Sequence, residues 1–314
     1  MALTSVAVVI PTRNRIDSLQ RCLNRLIPYV HTHPECTITV SDDGNAEQTR
    51  EKLAGDLGIV NVVQGPRLGP AANRNCGAAH STGDLLIFLD DDCIPEGNLI
   101  AAYQQAAAAN PDAGVFEGRI SSLGSVSGFA DMVVENETGG YLWSCNIAIR
   151  RSLFEKIDGF DERFPFAAVE DVDLHLRSKK ETSVPFLPEA RVWHDVESRQ
   201  GWRIVKHHTL SLLLFLHIHG PQAAKRKGSY FARMAVRTFL FRGLSYLRAG
   251  TVKNPQQLFY QCFVNLQLAL ILSLWRFHVP LAKRFYPACC PGCERIHASL
   301  ATHPPSEPRP RASA

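Results

Sequence analysis

Four continuous apolar runs mark the N-terminal part of the chain: 6–10 (VAVVI), 36–40 (CTITV), 59–63 (IVNVV) and 85–89 (LLIFL). Runs of this length without polar alternation are the pattern of strands buried on both faces. Pro11 ends the first run, and Asp17 is placed to cap a helix through about Leu26. Residues 46–57 are polar and helix-favouring. Residues 71–80 (AANRNCGAAH) predict a helix whose small side chains allow close packing, and 81–84 (STGD) a turn. Strands alternating with helices at this spacing predict βαβ units and a mostly parallel sheet, an α/β fold. Ligands of such sheets bind beyond the carboxyl ends of the strands.

After the fourth run the alternation loosens. Residues 115–120 and 142–149 read as strands, and Ser152 with Glu155 has the spacing of a capping box for a short helix stopped at Gly159. Residues 170–180 (EDVDLHLRSKK) predict a helix with acids crowded into its first turn, and 184–195 an extended segment. From Trp202 the pattern changes to long basic helices at 203–219, 222–249 and 256–278. This divides the chain into 1–200, a basic helical region over 201–285, and 286–314. The last part is Pro- and Ser-rich and reads as a disordered tail, above all beyond about 298.

Charge sharpens the boundary at 200. The net charge of the 314 residues is +4, yet residues 1–200 carry 18 Lys and Arg against 28 Asp and Glu, and residues 201–314 carry 16 against two, Glu294 and Glu307. An acidic part suits a bound cation; a basic part suits the phosphates of an anionic membrane surface. No nucleic-acid recognition motif stands out, and none is expected to bind. Nine cysteines, an odd number, sit mostly in apolar runs, and the N-terminus enters a strand with no basic leader. Reduced thiols in a cytoplasmic protein are the expectation.

Candidate chemistry concentrates where strands end. Asp90, Asp91 and Asp92 follow the fourth run directly. Adjacent carboxylates repel, and the end of a buried strand is a costly place for them. A hard divalent cation completed by phosphate oxygens would offset that cost; a solvated acidic loop is the plain alternative. Asp42 and Asp43 (SDDG) end the second strand on the same rim, where a carboxylate accepts from a base or ribose, although DDG is also ordinary turn chemistry. Arg74 offers a guanidinium suited to a diphosphate, or is a helical surface arginine. Glu170 and Asp171 open a helix whose dipole favours their ionised forms, and a carboxylate in a cleft can take a proton from an alcohol. His194, ending the extended 184–195 segment, is a metal ligand or a structural histidine.

In order and spacing, VVIPTRNR (8–15), SDDG (41–44), GPAANRNCGAAHSTGDLLIFLDDD (69–92), SCNIAIRR (144–151), GFDERF (159–164) and EDVDLHLR (170–177) resemble the family 2 glycosyltransferases of GT-A fold, over about residues 5–195. The resemblance implies a Rossmann-like α/β/α GT-A catalytic domain over 1–200. It implies an inverting, Mn2+- or Mg2+-dependent transfer of a sugar from a nucleotide-diphospho-sugar donor to an acceptor hydroxyl. By position it places Pro11, Thr12 and Arg13 around the base, Asp43 (Asp42 the weaker candidate) on base or ribose, and Arg74 near base or pyrophosphate. Asp90, Asp91 and Asp92 match the family's DXD motif, with Asp92 and Asp90 as metal ligands and Asp91 toward the ribose. Asp171 matches the general base, Glu170 a residue positioning donor or acceptor, and His194 a late metal ligand. Arg13 stands where many members carry an aromatic residue, which leaves the base open, with a UDP-sugar favoured. No QxxRW motif follows the 170–177 segment, which favours single addition over processive synthesis. The acceptor implied is a sugar or lipid-linked sugar in cell-surface polysaccharide or glycolipid assembly; a catalytically silent nucleotide-sugar binder or scaffold is the alternative. An aspartyl phosphotransferase would carry its D-x-D after the first strand of its domain, and here three strands precede it.

The basic helices combine Lys and Arg with leucine and aromatic faces, which suits a peripheral position on the cytoplasmic face of a membrane; packing on the catalytic domain is the alternative. Residues 209–216 are too short to span a bilayer, and 259–275 are interrupted by Gln261, Asn265, Gln267 and Ser273. Cys289, Cys290, Cys293 and His297 have zinc-ligand chemistry, but with little surrounding structure to orient them free thiols are expected. The Gly- and Ser-rich 121–141 segment reads as a lid over the donor.

Overall fold

The computed structural model describes residues 5–124, 131–132, 134–198, 202–220 and 255–302, with isolated positions at 232, 233, 236, 237 and 248. Two compact units emerge: Met1–Ser125 with Val133–Glu162 and Glu170–Glu197, and Val126–Met132 with Arg163–Val169 and Ser198–Ala314.

The first unit is built on one eight-stranded sheet. Its strands are β1 (Val6–Thr12), β2 (Cys36–Asp42), β3 (Val60–Gln64), β4 (Leu85–Leu89), β5 (Cys93–Pro95), β6 (Val115–Leu123), β8 (Asn146–Arg150) and β9 (Phe186–Asp195). Two-residue strands β7 (Asp131–Met132) and β10 (Glu197–Ser198) lie outside it. The order is β3-β2-β1-β4-β8-β6-β9-β5. The four predicted runs form a parallel block. Beyond it β8 enters antiparallel to both β4 and β6, β9 runs parallel to β6, and β5 closes the edge antiparallel to β9.

Helices α1 (Ile16–Val30), α2 (Ala46–Lys52), α3 (Pro70–Ala79), α4 (Leu99–Ala109), α5 (Arg151–Lys156) and α6 (Glu170–Ser178) complete the unit. Successive side chains of β1 point to opposite faces. Val6, Val8 and Ile10 join one core with Leu19, Leu23 and Leu26 of α1. Ala7 and Val9 join the other with Ala71 of α3, Phe88, Phe154, Phe160 and Leu174. Gly77 lets α3 sit close on the sheet, since a Cβ there would lie 2.6 Å from Val9 Cγ1. Fully burying one such Leu, Ile or Phe contributes about 1.5–3 kcal/mol, so these two layers fix the sheet that carries the rim.

Several local expectations fail for tertiary reasons. Helix α1 continues past Leu26 with Pro28 inside it, because Val30 extends its buried face, and Asp17 lies in the first turn rather than at the cap. The 46–57 helix stops at Lys52. Ser152 caps nothing: α5 starts at Arg151, whose guanidinium donates to the carbonyls of Gly83, Ala78 and Ser81. Strand β8 begins only at Asn146, because residues 140–142 are held otherwise. The buried Glu117 carboxylate accepts the backbone N–H groups of Gly140, Tyr141 and Leu142 at 2.6–2.7 Å, and Asn136 Nδ2 at 2.7 Å. That anchor pins part of the expected lid; residues 125–130 and 133 lie outside the described residues.

The second unit is helical: α7 (Trp202–His219), α8 (Pro255–Ser273), a 3-10 turn (Trp275–Phe277), α9 (His278–Phe285) and α10 (Pro291–Thr302). The expected 222–249 helix falls largely outside the described residues. The expected 256–278 helix breaks after Ser273, and Cys262–Ser273 and Trp275–Phe285 are bent by 105°. Gln267 is buried and accepts a 2.6 Å hydrogen bond from the Tyr286 hydroxyl. Among the described residues no single helix is long and apolar enough to cross a membrane. Helix α10 corrects the expected tail: Cys293, Ile296 and Leu300 recur every three or four residues and are buried, the spacing of an amphipathic helix. Residues 303–314 lie outside the described residues.

Candidate active site

The ends of β1 and β4 meet first. Thr12 Oγ1 donates to Asp91 Oδ2 at 2.6 Å. Arg15 spans the next two carboxylates, with Nη1 3.2 Å from Asp91 Oδ1 and Nη2 2.7 Å from Asp92 Oδ2. Burial still pushes the Asp91 carboxyl up to about 7, against the pull of Thr12 and Arg15. Asp90 turns the other way, to Arg74. The buried Arg74 guanidinium lies 2.6 Å from Asp90 Oδ1 and 3.1 Å from Glu170 Oε1, and over the Phe160 ring at 5.4 Å. Arg74 is therefore a buried bridge between two acid clusters, and Asp90 is engaged there rather than beside Asp92.

Asp92 faces His194 instead. Antiparallel register sets Cys93 opposite His194, and His194 Nε2 lies 3.4 Å from Asp92 Oδ1. His194 Nδ1 is 2.8 Å from the Asp195 carbonyl. A carbonyl only accepts, so Nδ1 carries the hydrogen, which leaves Nε2, facing Asp92, as the ring nitrogen able to offer a lone pair. Asp92 Oδ1 is buried with no hydrogen-bond partner among the described residues. Two lone pairs facing each other fit a divalent cation between them, with the remaining positions left to phosphate oxygens and water. Cys93 belongs to the same cluster, but its thiol donates to the Cys145 carbonyl at 3.5 Å.

The second rim cluster is more structural than expected. Asp42 spends one oxygen on the Gly44 N–H and the other on the Thr49 hydroxyl, both at 2.7 Å. Asp43 holds the loop before α3, accepting from Arg67 N at 2.8 Å and Gly69 N at 3.1 Å. Its carboxyl is raised by burial, with the Arg67 and Gly69 N–H groups and the charge of exposed Arg13 opposing. Pro11 is buried in β1. Asn73 locks the two strand ends together, donating to the carbonyls of Thr12 and Ser41 and accepting from the Ser41 hydroxyl.

Helix α6 brings the last pair. It follows Val169 at φ +74°, an uncommon conformation for a β-branched residue. Glu170 is buried behind Arg74 and its Oε2 has no hydrogen-bond partner among the described residues; burial raises its pKa despite Arg74. Asp171 accepts from Val172 N at 2.7 Å. Burial and the neighbouring Glu170 charge push it up to about 7. A carboxylate that titrates near neutrality is matched to proton transfer.

A family model for glycosyl transferase family 2 matches residues 7–158. Both strand-end acid clusters and Arg74 lie within that span, and Glu170, Asp171 and His194 lie beyond it. The domain belongs to glycosyl transferase family 2. Glycosyltransferase AglE of Haloferax volcanii is 32% identical over 95 residues, 29% of this chain and 31% of that protein. The pre-mycofactocin glycosyltransferase of Mycobacterium tuberculosis is 29% identical over 209 residues, covering 60% and 42%. The chain thus spans less than half the length of either relative. A crystal structure of GalNAc-T7 with UDP, GalNAc and Mn2+ matches with TM-score 0.54 at 17% identity, over 74% of this chain and 52% of that one. Residues 1–349 of S. aureus TarS match with TM-score 0.52 at 14% identity, over 94% and 90%. At such identities the likeness establishes the shared fold.

In this family 2 domain the sequence located the acids, and the structure adds their partners. Arg15 and Asn73 lie outside what the sequence pattern marks. Arg15 lies two positions past Arg13 in PTRNR, and nothing in the spacing marks it; Asn73 sits in an Ala-rich helix, where a buried amide is the one available signal.

Proposed function

We propose that the chain is a metal-dependent inverting glycosyltransferase moving a sugar from a nucleotide-diphosphate donor, a UDP-sugar by preference, to an acceptor hydroxyl. The observation that carries this reading is that the Asp92 oxygen without a hydrogen-bond partner among the described residues faces His194 Nε2 on the rim that also holds Arg74 and Asp171. The GalNAc-T7 structure, of the same fold, holds UDP and Mn2+, which supports it. Asp92 and His194 would hold Mn2+ or Mg2+, which when bound neutralises charge on the leaving diphosphate.

The chain's own residues divide the remaining work. Asp43 and Arg13 bind the nucleoside end, with Thr12 and Asp91 behind it. Arg74 keeps Asp90 and Glu170 in place while presenting positive charge toward the phosphates. Asp171, ionised above about pH 7, takes the acceptor hydroxyl proton onto its carboxylate. The acceptor oxygen attacks the anomeric carbon opposite the departing diphosphate oxygen, and one displacement inverts that carbon.

The acceptor is a sugar or lipid-linked sugar in cell-surface polysaccharide or glycolipid assembly, met at the cytoplasmic face of an anionic membrane. Phe263, Leu266, Leu270, Leu274 and Phe277 are exposed at spacings of three and four along α8 and the turn after it, beside exposed Arg276, Lys283 and Arg284. Such a face suits the headgroup boundary. Co-sedimentation of the full chain with anionic but not neutral vesicles is expected; binding to neither removes the membrane from the proposal.

The deciding test is thermal stabilisation by UDP-, GDP- and dTDP-sugars with and without Mn2+. A ligand that binds only the folded state raises the midpoint. One nucleotide should give a Mn2+-dependent rise that Asp92→Ala abolishes and Asp171→Asn keeps, while Asp171→Asn lowers turnover by about 100-fold or more. No rise with any donor refutes the reading.

A further inference from the structure

The C-terminal cysteines are not scattered thiols. Cys289 and Cys290 precede α10 and Cys293 lies in its first turn, while His207 reaches them from α7. One ligand atom from each of the four lies within 4.8 Å of every other. Cys289 Sγ and Cys293 Sγ are 3.6 Å apart, Cys290 Sγ and Cys293 Sγ 3.5 Å, and Cys290 Sγ and His207 Nε2 3.8 Å. With Zn–S bonds of about 2.3 Å, a tetrahedral site has ligand–ligand edges of about 3.8 Å. A disulfide would instead need its sulfurs at about 2.05 Å.

We propose that Cys289, Cys290, Cys293 and His207 form a structural zinc site that ties the start of α10 to α7. The histidine differs from the one the sequence suggests. His297 Nε2 is committed to the Tyr286 carbonyl at 2.8 Å, whereas His207, 82 residues before Cys289, presents Nε2 to the sulfurs.

The surroundings match the charge and orientation such a site requires. Three thiolates and one Zn2+ leave one net negative charge. Lys206, buried beside His207, donates to the Pro287 carbonyl and toward the Cys289 sulfur, supplying the compensating positive charge. The Phe166 ring stacks on His207 with centroids 3.8 Å apart and planes at 3°. Outer contacts of this kind fix the direction of a ligating imidazole.

The test uses the full chain purified without chelator. Zinc bound in stoichiometric amount is expected. After replacement by Co2+ the chain should show the intense visible bands of a tetrahedral ion and the near-ultraviolet charge transfer of thiolate ligation. Cys290→Ser and His207→Ala should each lose or shift that spectrum, and His297→Ala and Asp92→Ala should keep it. The Asp92 variant separates this ion from any held on the strand rim. Three results each overturn the proposal: a zinc-free chain without a thiolate–Co2+ spectrum, a spectrum lost in His297→Ala but kept in His207→Ala, or an intact mass showing a disulfide among the three cysteines. The wild-type spectrum decides even where a variant fails to fold.

Discussion

Replacing Arg74 by Met keeps most of the side-chain stem and removes the charge that bridges Asp90 and Glu170. Glu170 is the partner that suffers, because its side chain is only 5% exposed and its second oxygen already lacks a hydrogen-bond partner among the described residues. Breaking a buried pair typically costs about 3–5 kcal/mol. Glu170 can escape part of that by binding a proton, at a cost of about 1.4 kcal/mol for each pH unit above its unfolded value near 4.3. At pH 8 that route costs about 5 kcal/mol, so the full penalty stands; at pH 5 it costs about 1 kcal/mol. The sign follows from linkage. Without Arg74 the folded pKa of Glu170 rises further above the unfolded one. Between the two values the folded state holds a proton the unfolded state has lost, and stability falls as pH rises. Asp91 and Asp171, both pushed up to about 7, give the wild type a slope of the same sign, so the quantity to read is the difference between the two proteins. For a unit of this size 1 kcal/mol is about 2–4 °C in Tm. Metal-free thermal unfolding followed by circular dichroism should show Arg74→Met roughly 10 °C below wild type at pH 8 and about 3 °C below at pH 5. Equal deficits at the two pH values, or no deficit at pH 8, refute the assignment of Arg74 as the counter-charge of Glu170.

Two other substitutions probe features the sequence did not advertise. Glu117→Gln sets an amide N–H against at least one of the four donors that the carboxylate now accepts; a loss of about 3 kcal/mol and faster hydrogen exchange at residues 140–142 are expected, and unchanged exchange would show that the loop holds without this anchor. Arg15→Met removes a cation already seated on Asp91 and Asp92. With that side chain 45% exposed, stability should fall by less than about 1 kcal/mol, and Mn2+ titrated by calorimetry should bind several-fold more tightly; weaker binding would mean that Arg15 orders the two acids instead of competing for them.

The parallel half of the sheet was legible because β1 to β4 are buried on both faces and read as unbroken apolar runs. The mixed half was not. β5 has three residues, and its place is set by pairing with β9, a contact 100 residues away that no local pattern encodes. β8 starts late because a buried carboxylate elsewhere in the chain captures residues 140–142. Helix α4 is rich in alanine and carries little amphipathic contrast. At the site, residue types and strand ends announced Asp90, Asp91, Asp92, Glu170 and Asp171. What each one touches depended on side chains distant in sequence, so Arg15 could not be seen, and Arg74, placed at the donor site by resemblance but a surface arginine on its local pattern alone, is in fact buried between Asp90 and Glu170. The same limit explains the zinc ligands: three cysteines cluster in sequence, but the fourth ligand comes from another helix.

Arg15 and Arg74 together place two permanent positive charges against three consecutive aspartates. The nascent domain therefore has its own counter-ions and can complete folding before any metal reaches it. On the proposed metal-binding reading, loading would be an exchange of partners, in which an arriving ion displaces or rearranges an arginine rather than rescuing bare charge. Such an exchange yields only the difference between two favourable states, which keeps it reversible. On the proposed metal-dependent reading it also separates maturation from catalysis: a chain without the ion would be folded but idle, ready to work once the ion arrives.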